Sequence, residues 1–402
     1  MSNEIIPRKV FSFYTYLKNY CIEKNIWDII FSENDYPYLV DWPECIYEID
    51  LKVKDKIDET KVIEKKIWIK DLFIKNFWEQ PLTSSDMNLF FDELQKYSIL
   101  PNLKEKFKKD KWVDFAIKLE GRKIRVNIWN KLWEQIEVVS RILPEPWNAP
   151  TLEWLKLITE SNQIYKNITK NKEWLILVVW PTGSWKSTTL VAMINEVNET
   201  SKRRILSFED PIEYEHINKK SKIVQKEVGV DIKDYAQWLH LALRQKPHIA
   251  VVWEIRDAEV MQLSMELCST WHMVMSTFHA KTVTQTISRI EKMYPESERE
   301  WMLADLADML LWIFVQRLLP KKWGWKILLR EIIIWTQAVK RAIAKRDFDL
   351  INWLMKEWSS DYMIDTDSAL NELYNQWLIT EETLFNYAID KKWAEKITWI
   401  SY

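Results

Sequence analysis

Nine consecutive residues constrain this chain more than any other stretch: Trp180-Pro181-Thr182-Gly183-Ser184-Trp185-Lys186-Ser187-Thr188. An apolar run before them, Leu175-Ile176-Leu177-Val178-Val179, reads as a buried strand. After them Thr189-Leu190-Val191-Ala192-Met193-Ile194 has the pattern of a helix. Strand, tight loop, Lys-Ser and helix is the layout of a phosphate-binding P-loop. In such a loop, successive backbone N–H groups wrap a phosphate at a helix N-terminus. The Lys ammonium reaches the β- and γ-phosphates, and the hydroxyl beside it ligates Mg2+. The layout requires Gly at both ends, because a side chain before the Lys occupies the space the phosphate oxygens need. Here tryptophan stands in both places.

Composition bears on those two positions. The chain has 4 Gly and 25 Trp in 402 residues. Average usage of about 7% would give roughly 28 Gly, which is close to the two counts combined. Trp also sits where turns ask for Gly, as in Lys322-Trp323-Gly324-Trp325-Lys326 between two strand-like runs. One reading joins these facts: most Trp letters are glycines in the natural protein, produced by translating as Trp a UGA codon that some bacterial lineages read as Gly. The opposing reading is a Trp-rich protein with a degenerate loop.

The length allows two or three domains with sizeable cores. Lys and Arg number 57 against 59 Asp and Glu, so the net charge of -2 exerts no bulk pull toward nucleic acid. Cys21, Cys45 and Cys268 are odd in number and far apart, which excludes a disulfide framework and a four-Cys zinc site. They read as reduced, buried thiols of a cytoplasmic protein. The N-terminal residues lack the apolar core of a signal peptide. No run reaches the ~20 apolar residues of a membrane span, so a membrane role has to come through a partner.

Along the chain, residues 1–80 form a poorly defined extension in which Phe11–Leu17 and Tyr47–Val53 alternate like strands. Residues 81–143 read as a compact α/β unit. It contains a helix near Ser85–Leu94 and a hairpin around Gly121, with strands at Phe115–Glu120 and Lys123–Ile128. Pro144, Pro146 and Pro150 stiffen a linker over 144–155. From 156 to 335, apolar runs at 175–179, 204–208, 249–252, 273–277 and 327–334 alternate with helical patterns. The expectation is an α/β fold, a mostly parallel sheet with helices on both faces. Residues 336–402 read as a helical tail.

Chemistry concentrates at the ends of the expected strands, where open α/β sheets bind ligands. Ile249-Ala250-Val251-Val252-Trp253-Glu254 runs an apolar strand into an acid that can hold magnesium or orient an attacking water. Glu209, Asp210 and Glu213 crowd the end of the strand at 204–208, to support metal and water or to cap the next helix or turn. His279 lies beyond another strand end, and His272 lies before the same strand.

These blocks, in this order, closely resemble the secretion-ATPase superfamily of type IV pilus and type II secretion motors. Restoring Gly at 174, 180, 185, 253 and 271 gives a GPTGSGKST loop (Walker A), an EDPIE box (Asp box), a VVGEIRD box (Walker B) and a GHMVMSTFHA box (His box). The resemblance implies a PAS-like N-terminal domain, a RecA-like P-loop ATPase domain and a homohexameric ring. By resemblance, residues 180–188 bind ATP, and Ser187 and Glu254 hold Mg2+. Glu254 is then the catalytic carboxylate, with Glu209, Asp210, Glu213, His272 and His279 around the reaction. Arg125, in Arg-Val-Asn, and Arg141, before Ile-Leu-Pro, match N-domain arginines that reach nucleotide at subunit contacts. The length and the run Glu331–Arg346 look most like the PilT-like retraction branch, whose AIRNLIRE signature stands here as Ala338-Val339-Lys340-Arg341-Ala342-Ile343-Ala344-Lys345. The implied function is ATP-driven pilus retraction by a cytoplasmic ring on an inner-membrane pilus platform protein. The alternatives are an extension or secretion ATPase of the same family, a DNA-translocating RecA-like ATPase, and a catalytically inactive structural or regulatory ring if Trp180 and Trp185 are genuine. The neutral charge disfavours direct nucleic-acid binding.

Overall fold

A computed structural model of the chain describes residues 5–24, 28–32, 37–41, 44–46, 48–54, 62–68, 82–98, 102–130, 135–143, 150–152, 174–179, 186–324, 326–357 and 363–398. The chain forms two compact units, Met1–Glu145 and Pro146–Tyr402, divided inside the stretch expected as a linker.

The first unit contains α1 (Ile5–Lys24), β1 (Asp28–Ser32), β2 (Tyr38–Asp41), β3 (Glu44–Ile46), β4 (Glu48–Lys54), β5 (Val62–Trp68), α2 (Ser84–Lys96), α3 (Leu103–Asp110), β6 (Trp112–Leu119), β7 (Arg122–Asn130) and β8 (Ile136–Ile142). Six strands make one antiparallel sheet in the order β3-β2-β1-β8-β7-β6, and β4 pairs with β5 separately. The expected hairpin forms around Gly121, with Leu119 opposite Arg122. Ile124, Val126 and Ile128 alternate into the core, as a sheet covered on one face requires.

Two sequence readings change here. The stretch Phe11–Leu17, expected as a strand, lies inside α1. Phe13, Tyr14, Leu17 and Cys21 share one helical face and are fully buried against α2 and the sheet, so tertiary packing overrides the local alternation of aromatics. Strands β1, β2 and β3 belong to the same sheet as β6, β7 and β8. The small domain therefore starts well before residue 81, and residue 80 is not a boundary of its sheet.

The second unit contains β9 (Trp174–Val179), α4 (Lys186–Thr200), β10 (Arg204–Glu209), β11 (Lys222–Glu227), α5 (Tyr235–Gln245), β12 (Ile249–Val252), α6 (Ala258–Ser269), β13 (Met273–Phe278), α7 (Val283–Glu291), α8 (Arg299–Met309), β14 (Leu310–Pro320) and β15 (Lys326–Ile334). The helical tail follows as α9 (Gln337–Ala344), α10 (Phe348–Glu357), α11 (Thr366–Asn375), α12 (Glu381–Tyr387) and α13 (Lys391–Thr398). The seven strands run β11-β10-β12-β13-β9-β14-β15, all parallel except β15. Both faces are covered. Leu175, Leu177 and Val179 of β9 pack with residues of α5 to α10, while Ile176 and Val178 pack with α4, α11 and α12. Double coverage explains why these strands read as unbroken apolar runs. The tail is thus part of the helical layers on this sheet and closes its core.

Tryptophan occupies backbone that suits glycine at three described positions. Trp174, Trp271 and Trp377 have φ of 115°, 68° and 60°. Trp271 and Trp377 each follow the C-cap of a helix. Trp377 donates to Tyr374 and Leu378 to Leu373 after α11; Trp271 donates to Cys268 and His272 to Leu267 after α6. That double bond pattern is the Schellman motif, whose left-handed residue is usually Gly. Both indoles are left in solvent, 75% and 68% exposed.

Candidate functional site

Because β9, β10, β12 and β13 are parallel, their C-terminal ends reach one edge of the sheet. β9 ends at Val179, and α4 begins at Lys186 after a short connection. The positive end of the α4 dipole therefore faces that edge, where it favours an anion. Trp180, Pro181, Thr182, Gly183, Ser184 and Trp185 lie outside the described residues, as do the side chains of Lys186 and Ser187. Thr188 stands in the first turn of α4. The next residue, Thr189, is buried and donates from Oγ1 to Gln316 Oε1 of β14 at 2.9 Å, which pins the start of α4 against the sheet.

Glu254 is the centre of the described site. Its Oε1 lies 2.9 Å from His279 Nε2, and its Oε2 accepts from Arg256 Nη2 at 2.7 Å and Nε at 2.8 Å. Arg256 also reaches Asp210, Nη1 to Oδ2 at 3.7 Å. The turn that carries Glu254 is held from both neighbouring strands. Trp253 N–H donates to Phe208 O at 2.9 Å, Ile255 N–H donates to Thr277 O at 3.1 Å, and Thr277 Oγ1 donates to Trp253 O. Three residues chosen from three sequence blocks, Asp210, Glu254 and His279, are thereby joined. Arg256, which joins Asp210 to Glu254, follows Glu254 by two positions in the same block.

Other candidates have different places. Glu209 is fully buried and accepts on Oε1 from Ser207 Oγ and Gln225 Nε2, both at 2.8 Å, so it ties β10 to β11 beneath the edge. Glu213 is half-buried in the segment after β10. His272 precedes β13 whereas His279 follows it, so strand rise separates them by roughly 20 Å. His272 Nδ1 contacts Leu267 O at 3.2 Å and Thr270 Oγ1 at 3.1 Å, in the turn that ends α6. The structure does not bring His272 to Glu254.

Arg125 and Arg141 belong to the first unit, and the strand register places them directly opposite each other on β7 and β8. Like charges in that relation repel, and each guanidinium is matched by a carboxylate. Arg125 Nη2 lies 2.5 Å from Asp114 Oδ2, and Arg141 holds Asp28 through Nε at 2.7 Å and Nη2 at 2.9 Å.

Sequence reasoning passed over Tyr235. Burial, with Asp210 and Glu254 beside it, pushes its hydroxyl well above the ordinary tyrosine range, and Arg256 offsets part of this. The hydroxyl has no hydrogen-bond partner among the described residues. The only signal in the sequence is Asp234 before it, which caps α5 by accepting from Gln237 N–H at 2.8 Å.

Among the described residues no group of three metal-binding side chains exists. One Glu254 oxygen is engaged by the Arg256 guanidinium and the other by the His279 ring, so this carboxylate fits contact with an ion through water.

The family described as "Type II/IV secretion system protein" matches residues 80–324. The chain belongs to this family. Among relatives, a "Twitching motility protein" of Neisseria gonorrhoeae is 35% identical over 272 residues, 67% of this chain and 71% of that one. The "Type IV pilus retractation ATPase PilT" of Pseudomonas aeruginosa is 32% identical over 270 residues, 67% of this chain and 76% of that protein. A crystal structure of "the Pilus Retraction Motor PilT and Bound ADP" superposes with a TM-score of 0.74 at 29% identity, covering 95% of this chain and 98% of the other. The type II/IV secretion relatives include named ATPases, and the PilT structure carries nucleotide. The α/β architecture, with a small N-terminal domain before a largely parallel sheet, is the fold of that structure. Among the described residues no helix is long and apolar enough to cross a membrane.

Proposed function

We propose that this chain is an ATP-hydrolysing motor that retracts type IV pili, working as a homohexamer in the cytoplasm against an inner-membrane pilus platform protein. The observation that carries the reading is the convergence of Glu254, His279, Arg256 and Asp210 at the sheet edge where α4 begins. In this scheme residues 180–188 cradle the phosphates and Ser187 meets Mg2+, which supplies charge neutralisation when bound. Glu254 orients the attacking water while His279 and Arg256 hold the carboxylate in place. Arg125 and Arg141 supply positive charge to nucleotide at subunit contacts. Likeness to twitching-motility and retraction proteins supports retraction over extension or secretion.

We also propose that the natural protein carries glycine at 180 and 185, and at 174, 271 and 377. The support is the Gly and Trp counts, the two helix ends closed by tryptophan, and the φ of 115° at Trp174. If indoles stand at 180 and 185, the inactive-ring reading replaces the motor. Two measurements test the pair of proposals. Peptide masses of the natural protein across 174–186 and 270–281 should show Gly; Trp masses overturn the assignment. The chain with Gly at 180 and 185 should hydrolyse ATP and lose turnover on Lys186→Ala or Glu254→Gln. Failure of that chain to bind or turn over ATP overturns the motor.

A further inference from the structure

His279 can hold Glu254 only if the segment that carries it stays in place, and residues 279–283 are pinned to the rest of the fold through successive backbone groups. Arg289 Nη1 of α7 donates to His279 O at 2.5 Å. Arg317 Nη2 of β14 donates to Lys281 O, and Lys281 N–H donates to Gln285 Oε1 at 2.6 Å. The last tie comes from Glu331, in the middle of β15 and 3% exposed. Its Oε1 accepts from Val283 N–H, the first residue of α7, at 2.8 Å. Its Oε2 accepts from Thr366 Oγ1, the first residue of α11, at 2.6 Å. One buried carboxylate therefore sits at the N-termini of two helices, where backbone dipoles favour an anion. One helix leads out of the site; the other opens the second half of the tail. The tail is joined to β15 at the same point, since Ile332 and Ile364 exchange backbone bonds at 2.8 and 3.1 Å.

We infer that Glu331 is a positioning residue for the Glu254–His279 pair, fixing the His279 segment and the start of α11 to the same point of β15. A buried carboxylate is costly unless donors meet it, and here each oxygen has one from a different helix. Its two oxygens serve two different elements, and neither bond lies in the secondary structure of β15 itself. Arg317 from β14 and Asp365 ahead of α11 are the charged groups that face it. The role in turnover rests on the ATPase reading above; the tie itself does not.

The test uses the full chain without nucleotide and, separately, the chain with Gly at 180 and 185 with ATP. Glu331→Gln keeps one acceptor and loses the other, so amide exchange across 279–285 should accelerate on the order of tenfold. ATP turnover should fall by a similar factor in kcat with KM unchanged. Thr366→Val, which keeps the charge and the Val283 bond, should show both effects in smaller degree, and Thr366→Ser should restore both. Exchange in folded Glu331→Gln or Thr366→Val equal to that of the parent overturns the tie. Faster exchange with unchanged kcat overturns the positioning role. If the parent does not hydrolyse ATP, the exchange result still decides the tie, while the positioning role falls together with the motor reading.

Discussion

In the second unit, six parallel strands deliver their C-terminal ends to a single edge, whereas the antiparallel strands of the first unit send alternate ends to opposite edges. The consequence for chemistry is direct. Asp210, Glu254 and His279 are each the first or second residue past a strand, and parallel direction alone collects them. Arg125 and Arg141 lie within strands on the face of the other sheet, and strand register pairs them instead. Parallel strands make a site from residues far apart in sequence, and antiparallel register makes a charged row whose members must be neutralised locally.

The sharpest way to break this contrast is Glu254→Gln in the chain with Gly at 180 and 185. Loss of a positioned base contributes about 10²–10⁴-fold, so turnover should fall by that range with melting unchanged. Retention of most activity would place the chemistry elsewhere on the edge. Core truncation tests the difference in coverage. Ile176→Ala and Leu177→Ala point to opposite faces of β9, and each should cost about 2–5 kcal/mol in denaturant unfolding. In β7 the buried Ile128→Ala should cost that much, whereas its neighbour Asn127→Ala should stay within about 0.5 kcal/mol. Equal costs at 127 and 128 would contradict one-sided burial.

Two groups of the second unit, the buried Glu331 and the half-buried His216, give pH effects of opposite sign. Burial pushes the Glu331 carboxyl up to about 6 from 4.5, against its bonds to Thr366 and Val283. The folded state then binds more protons than the unfolded one, so this group's contribution to stability falls as pH rises from 4.5 to 6. Burial lowers His216 to about 4 from 6.5, and its contribution rises with pH over 4 to 6.5 by the same linkage. The two oppose each other in the parent. Glu331→Gln should therefore steepen the gain of stability with pH, and His216→Phe should flatten or reverse it. Parallel melting curves at about pH 4.5 and 6.5 check the sign. A small effect is also expected at Arg125→Ala, within about 1 kcal/mol for a half-buried ion pair, read from unfolding of the first unit. A large loss of turnover from the same variant would mark the arginine as reaching nucleotide.

Much of the second unit was legible because its strands are covered on both faces and read as apolar runs with acids or histidine at their ends. β11 was not, since its sequence Lys-Ile-Val-Gln-Lys-Glu has the polarity of an edge strand with one covered neighbour. The helix α1 was misread because Phe11 and Phe13 alternate locally while the deciding contacts come from α2 and the sheet. Of the site, Glu254 and His279 were legible as strand-end residues. Arg256 escaped because an arginine beside two acids looks like surface charge until its fork is seen on Glu254. His272 came with His279 from the His box of the resemblance, and the intervening strand sets the two far apart.

The sequence by itself determined the family, most of the alternation of strands and helices in the second unit, and the layout of a phosphate-binding loop, because these rest on residue type and spacing. It also exposed the excess of tryptophan, since counting needs no coordinates. Only the tertiary structure decided which acid meets which histidine, that Glu331 ties two helices to one strand, and that β1, β2 and β3 complete the first sheet. Those outcomes depend on strand direction, register and long-range packing, and no local spacing encodes them.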